Sequence, residues 1–546
     1  MATTQRPKNS DLGAAFPPGS ESSASQHMPR ERESGELGGA SPAVVAGRQP
    51  REGDEPQAAA EASEKSDASM VPEKPTNTWV TPVEPVEGRV AANGKLAQRN
   101  APRTQDREGV LTHLERVGER AKKEKDERFV NLLSHIKVPL LAEAYSRLRK
   151  KAAAGVDGET WESYGEDLDG RLRDLQERVH RGSYHPLPVR RVYIPKADGR
   201  QRPLGIPALE DKILQQAVRM LLEPIYESMF LGFSYGFRPG RSPHKGLDAL
   251  CVALSRKTNW VLDADIRSFF DTIDHGWMQK FIEHRIGDRR LVRLLMKWLH
   301  AGVMEEGEVR PSEEGTPQGG IISPLLANIY LHYVLDLWVN KWRKTSGRGA
   351  IYIVRYADDF VIGFQYEQDA RAMHAALAVR LKTFGLELHP EKTRVIRFGR
   401  FARQHCAADG RKKPETFDFL GFTHMSGADP DGRYRLIRRT ARKKRVSKLA
   451  ELSEEIRRRR HRPIPEQHAW LSSVLRGHDA YYGVPGNGAA LRLFHGRVRS
   501  AWHRALQRRS QRARWNTAKH RRFDRTFALP PPRITQPHPT ERFFVR

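Results

Sequence analysis

The stretch Ile351-Tyr352-Ile353-Val354-Arg355-Tyr356-Ala357-Asp358-Asp359-Phe360-Val361-Ile362-Gly363-Phe364 limits the fold of this chain more than any other. Two runs of Ile, Val, Tyr and Phe meet at adjacent carboxylates, the pattern of two buried strands joined by a tight turn. Ionised carboxylates persist in such surroundings only when paired or bound to a cation. The turn has neither Gly nor Pro, so ordinary hairpin chemistry does not account for it. The apolar flanks favour a chemical role over a plain polar turn.

A second acidic strand reads from Trp260 to Ile266, and Asp263 and Asp265, two apart, share one of its faces. Spacing alone leaves either as the partner of Asp358 and Asp359. Carboxylates on two separate elements are what a pair of divalent metals requires, and oxygen donors without His or Cys favour magnesium over zinc. Upstream, Arg190–Lys196 and Arg200–Pro207 form a basic hairpin about Ala197-Asp198-Gly199, placing Lys196 and Arg202 to hold a triphosphate or to line a solvated edge. Phe233–Ser242 is an aromatic and basic loop suited to stacking on bases. Gly315–Pro324 is a Gly-rich turn that allows close backbone approach to a ligand, and a helix is expected from Pro324 to Leu337. Together these parts describe nucleotidyl transfer.

The formal charge of +28 points to a polyanionic partner. Most of it lies late: residues 431–525 hold 27 Lys and Arg against 7 Asp and Glu, around a helical apolar stripe at Leu491, Phe494, Val498, Trp502 and Leu506. No run is long enough for a spanning helix, and no apolar signal core opens the chain, so no membrane partner and no secretion are expected. Two distant cysteines, Cys251 and Cys406, exclude a disulfide scaffold and fit a reducing interior. Residues 1 to about 75 contain Phe16 as their one Phe, Tyr or Trp and read as a disordered arm that continues poorly structured to residue 108. A helical period sets in from Glu108.

From about Leu111 onward the chain resembles the reverse transcriptases and maturases encoded by bacterial group II introns. The resemblance rests on Tyr356–Asp359, Asp265-Ile266-Arg267-Ser268-Phe269-Phe270-Asp271, Gly315–Pro324 and Arg476–Gly483. It implies an α+β right-hand polymerase, with fingers and an antiparallel palm sheet over residues 109–425 and an all-α thumb and maturase region over 426–546. It selects Asp265 over Asp263, so that Asp265, Asp358 and Asp359 are the catalytic and metal-binding carboxylates, joined by Ile266, for two Mg2+ ions. It implies dNTP contacts at Lys196, Arg202, Phe270, Gln318 and Lys392, with Phe270 as the gate against a ribose 2′-OH. Intron RNA would lie on Arg438, Arg439, Arg442, Lys443, Lys444, Arg445, Arg476, Arg508 and Arg509. The expected partners are an intron RNA template, a DNA target or primer and dNTPs, in a bacterial cytoplasm near nucleoid and RNA. Relatives with a C-terminal endonuclease module carry Cys pairs that this sequence lacks, so the form without that module is expected. Competing readings are a CRISPR-, retron- or defence-associated reverse transcriptase serving antiviral defence, or an RNA-binding splicing chaperone with a vestigial polymerase site.

Overall fold

A computed structural model describes residues 97–195, 201–305, 308–310, 315, 319–510 and 516–542, with the side chains of 97–106, 195, 202 and 542 also outside the description. The expected disordered arm up to residue 96 therefore lies outside the described residues. The first of the described helices runs Ala97–Lys123 and so begins ahead of Glu108, where the apolar period becomes visible.

Among the described residues, eleven strands fall into three sheets. In chain order they are β1 (Val189–Pro195), β2 (Gln201–Ile206), β3 (Trp260–Asp265), β4 (Val303–Glu305), β5 (Glu308–Arg310), β6 (Ile351–Tyr356), β7 (Asp359–Phe364), β8 (Arg394–Arg397), β9 (Thr416–Phe419), β10 (Phe422–Ala428) and β11 (Tyr434–Thr440). The first sheet has the order β2-β1-β4-β5 and contains the basic hairpin, closed by Pro195 opposite Gln201. The central sheet has the order β6-β7-β3-β8, every neighbouring pair antiparallel. The third runs β11-β10-β9.

Side chains alternate across a strand, and the central sheet sorts its residues accordingly. Leu262, Ala264, Ile353, Phe360, Ile362 and Phe364 enter the larger core, which holds the helix Leu209–Glu227 with Ile213, Leu214, Ala217, Leu221 and Ile225 fully buried. Val261, Tyr352, Val354 and Val361 face the opposite way, into a second core shared with the helix Pro243–Ser255 and with Phe417, Phe419, Phe422 and Leu436 of the third sheet. That sheet crosses the boundary expected at 425/426, which falls inside β10; the helical region opens only at Arg442. From there the helices Arg442–Arg458, Ile464–Tyr482, Gly488–Gln507 and Thr517–Thr526 enclose a third core around Leu471, Leu475, Phe494, Val498 and Trp502. This α+β arrangement, with an antiparallel central sheet followed by helices, is the fold class expected. None of the described helices is long and apolar enough to cross a membrane.

Candidate active site

The acidic residues continue the row of side chains on the second face of the central sheet. Asp359 follows Val361 down β7, and Asp265 follows Asp263 and Val261 down β3. The register sets Asp265 directly opposite Asp359, and Asp263 opposite Val361. Asp358 sits in the two-residue turn between Tyr356 and Asp359, which are paired across β6 and β7. Like charges directly opposite on one face destabilise a sheet. The cost is visible at Asp359, whose carboxyl is pushed well above the ordinary carboxylate range, chiefly by burial and then by Asp265, Asp263 and Asp358. Asp263 is raised to about 6, again first by burial, although Arg394 Nε lies 3.7 Å from its Oδ2 and opposes the shift. Lys392 forms an ion pair with Asp265. It is delivered there by a loop anchored on the end of β3, where the His389 N–H donates to the Asp265 carbonyl (2.8 Å) and the Arg267 N–H to the Glu387 carbonyl (2.8 Å).

A buried arginine fixes the turn. Arg355 lies on the opposite face of β6 and is fully buried, as is its partner Asp336. Its Nε donates to Asp336 Oδ1 (2.7 Å) and its Nη2 to Oδ2 (2.6 Å). Nη1 donates to Asn328 Oδ1 (3.1 Å) and to the Ala357 carbonyl (2.9 Å). Ala357 has φ +59°, the left-handed region that a residue with a Cβ adopts at a cost. The contact from Arg355 to its carbonyl holds that strained residue, and hence the direction in which Asp358 and Asp359 leave the turn. Asp336 ends a π-helical segment, His332–Asp336, between the α-helices Ser323–Leu331 and Leu337–Thr345. Gly236 packs its backbone on the same turn: a Cβ there would stand 2.3 Å from the Ala357 nitrogen, and the Gly236 carbonyl accepts from Asn328 Nδ2 (2.8 Å).

The other expected parts gather around this centre. Phe270 is half-buried in the 3-10 turn Phe269–Asp271 and packs edge-on against the buried Phe269. Gly315 docks on that turn, its N–H donating to the Ile273 carbonyl (2.8 Å), and a Cβ on it would meet the Phe270 carbonyl at 2.8 Å. Gly319 (φ +125°) lies so close to Gly205 of β2 that a Cβ would be 2.3 Å from the Gly205 oxygen. The Gly-rich box thus touches both the Phe270 turn and the basic hairpin. The side chain of Ile266 is buried in the core, which leaves its backbone as the part able to serve a ligand. Lys196, Gln318 and the side chain of Arg202 lie outside the described residues.

Two expectations need correction. In the aromatic loop, Phe233 and Tyr235 are buried, and Arg238 is bound to Glu227 (2.9 and 3.0 Å) and to the Leu231 and Ser234 carbonyls; Phe237 alone of its aromatics is exposed. Arg438, expected on an RNA surface, is 2% exposed and donates to the buried Asp248 at 2.8 Å. Its guanidinium satisfies an internal carboxylate. Arg439, Arg442, Lys443, Lys444, Arg476, Arg508 and Arg509 are exposed and Arg445 is half-buried. Sequence reasoning missed Asn328 and Asp336. The only signal for them was Arg355 itself, a lone guanidinium inside an apolar strand that requires a buried acceptor.

Residues 194–424 match the family described as Reverse transcriptase (RNA-dependent DNA polymerase). The chain is 42% identical to Protein YkfC of Escherichia coli (strain K12), over 38% of this chain and 62% of that protein. It is 38% identical to Group II intron-encoded protein LtrA of Lactococcus lactis subsp. cremoris, over 44% of this chain and 41% of that protein. It is 30% identical to Putative COX1/OXI3 intron 1 protein of Saccharomyces cerevisiae, over 48% of this chain and 37% of that protein. The chain spans less than two thirds of the length of each of these relatives.

Proposed function

We propose that this chain is one of the group II intron-encoded reverse transcriptases and maturases, an RNA-directed DNA polymerase that also binds its intron RNA and assists splicing and mobility. One observation carries the polymerase reading: Asp265 and Asp359 stand opposite each other on one sheet face, beside Asp358, and burial and mutual repulsion make Asp359 resist ionisation. A fold that keeps such a row has a use for added positive charge. The donor set is all oxygen, which fits magnesium. Two Mg2+ ions held by Asp265, Asp358, Asp359 and the Ile266 backbone would activate a primer 3′ hydroxyl and stabilise the leaving phosphate oxygen.

The remaining steps belong to the chain. Arg355 orients the carboxylate turn, and Lys392 holds Asp265 in place until substrate charge competes for it. The Phe270 ring, backed by Phe269, would act as the gate against a sugar 2′-OH. Lys196 and Arg202 would neutralise the triphosphate, with Gln318 against the incoming nucleotide. The exposed cations from Arg439 to Arg445, with Arg476, Arg508 and Arg509, would bind intron RNA through its backbone, so that affinity falls steeply with salt.

The test is primer extension on an RNA template with magnesium and dNTPs. The wild type is expected to yield cDNA, and Asp358→Asn/Asp359→Asn none while retaining RNA binding. Equal extension by both proteins would remove the metal assignment.

A further inference from the structure

Among the described residues, one cluster brings three ligand atoms within 4.8 Å of one another, and it lies outside the central sheet: His478 and Asp479 on the helix Ile464–Tyr482, and His495 on the helix Gly488–Gln507. All three side chains are more than nine-tenths buried. His495 Nε2 is 2.8 Å from Asp479 Oδ1, and its Nδ1 is 3.1 Å from the Pro530 carbonyl. Both neighbours are acceptors, and a neutral imidazole has a single N–H to give. With that hydrogen on Nδ1, Nε2 turns a lone pair towards a carboxylate oxygen, and a cation must reconcile the two. A proton on the ring would suffice for this pair alone.

His478 argues for more than a proton. Its Nδ1 lies 3.6 Å from the same Asp479 oxygen, beyond hydrogen-bond reach, and has no hydrogen-bond partner although it is buried. Its ring is held by parallel stacking on Phe494, with centroids 3.7 Å apart. An imidazolium–carboxylate pair gives no reason for a second buried ring to aim a bare nitrogen at it. The outer contacts are those of metal ligands oriented from behind: Pro530 takes the Nδ1 hydrogen of His495, and the Arg533 N–H donates to Asp479 Oδ2 (3.0 Å).

We propose that His478 Nδ1, Asp479 Oδ1 and His495 Nε2 bind one borderline divalent transition-metal ion, zinc being the expected one. Both outer contacts come from the segment Ala528–Gln536, which also donates from the Thr535 N–H to the Gly483 carbonyl (2.8 Å) and from Thr535 Oγ1 to the Asp479 carbonyl (2.8 Å). The ion would therefore pin this segment across the ends of two helices.

The test uses the full chain, stripped with chelator and titrated with cobalt(II) in excess magnesium. One equivalent is expected to bind with the visible absorption of low-symmetry N/O coordination, zinc should displace it, and zinc should raise the melting temperature. His478→Gln and His495→Gln should lose the absorption while keeping far-ultraviolet circular dichroism. Folded wild type that binds no stoichiometric cobalt would overturn the proposal and leave a protonated His495–Asp479 pair. Absorption unchanged in the folded variants would also overturn it, by placing the ion on other histidines among the chain's 21. If neither variant folds, the wild-type titration decides alone.

Discussion

Replacing Arg355 separates the stability of the fold from the aim of the Asp358–Asp359 turn. Arg355→Met leaves the Asp336 carboxylate, fully buried, without the two bonds of 2.6 and 2.7 Å that satisfy it. Breaking a buried ion pair from one side costs about 3–5 kcal/mol. The Ala357 carbonyl loses its donor as well, an unsatisfied buried acceptor being worth about 1–3 kcal/mol. Against the ~5–15 kcal/mol that holds a domain together, that is a large share. With a denaturant slope of about 1–3 kcal/mol per molar, the urea midpoint should fall by more than about 1 M. Adding Asp336→Leu removes the stranded charge and should recover most of the loss, because an apolar pair replaces a buried ion pair at little net cost. Primer extension should not recover, since the Ala357 carbonyl still lacks the guanidinium contact that helps hold this residue at φ +59°. The measurements are urea unfolding followed by fluorescence and cDNA yield at saturating dNTP. Full activity in the stable double variant would refute the positioning argument; a midpoint unmoved by Arg355→Met alone would refute the energetics.

Asp359 has its folded pKa raised, so ionising it costs stability: the penalty sets in as pH rises above the unfolded value and grows towards the folded one. Asp359→Asn should therefore melt higher than wild type at neutral pH without divalent ions, and magnesium should raise the melting temperature of wild type but much less that of the variant. Phe270→Ala should incorporate ribonucleotides more readily in a dNTP/NTP competition assay; unchanged selectivity would return Phe270 to a packing role. Alanine at Arg442, Lys443 and Lys444 should lower RNA affinity and flatten its dependence on salt with little effect on melting. Arg438→Ala should do the reverse, lowering the melting temperature because the buried Asp248 loses its guanidinium partner.

The central sheet was legible because its signals are local. Apolar runs of the right length at β3, β6 and β7, and a period of two, put Asp263 and Asp265 on one face and the acidic pair at the strand junction. The helices at Leu209–Glu227 and Glu367–Thr383 were legible for the same reason. What stayed hidden depended on partners far away in sequence. Lys392 reaches Asp265 across 127 residues, and Arg438 reaches Asp248 across 190. A charged side chain in a basic stretch looks like surface until its acceptor is found. Phe233 and Tyr235 misled likewise, since an aromatic loop offers the same residues to a core as to a base. The 425/426 boundary failed because composition turns basic before the sheet ends: β11, with three arginines among its seven residues and Leu436 in the second core, is still a strand.

The π-helical segment His332–Asp336 has a consequence for how such a chain can change. Each residue of an α-helix advances by roughly 100°, so the single extra residue that a π turn accommodates swings everything after it around the axis. Asp336 meets Arg355 because that extra residue is there. A one-codon deletion between His332 and Asp336 would give a more regular helix and carry the carboxylate off its guanidinium. Insertions and deletions in this short window should thus be tolerated less well than substitutions.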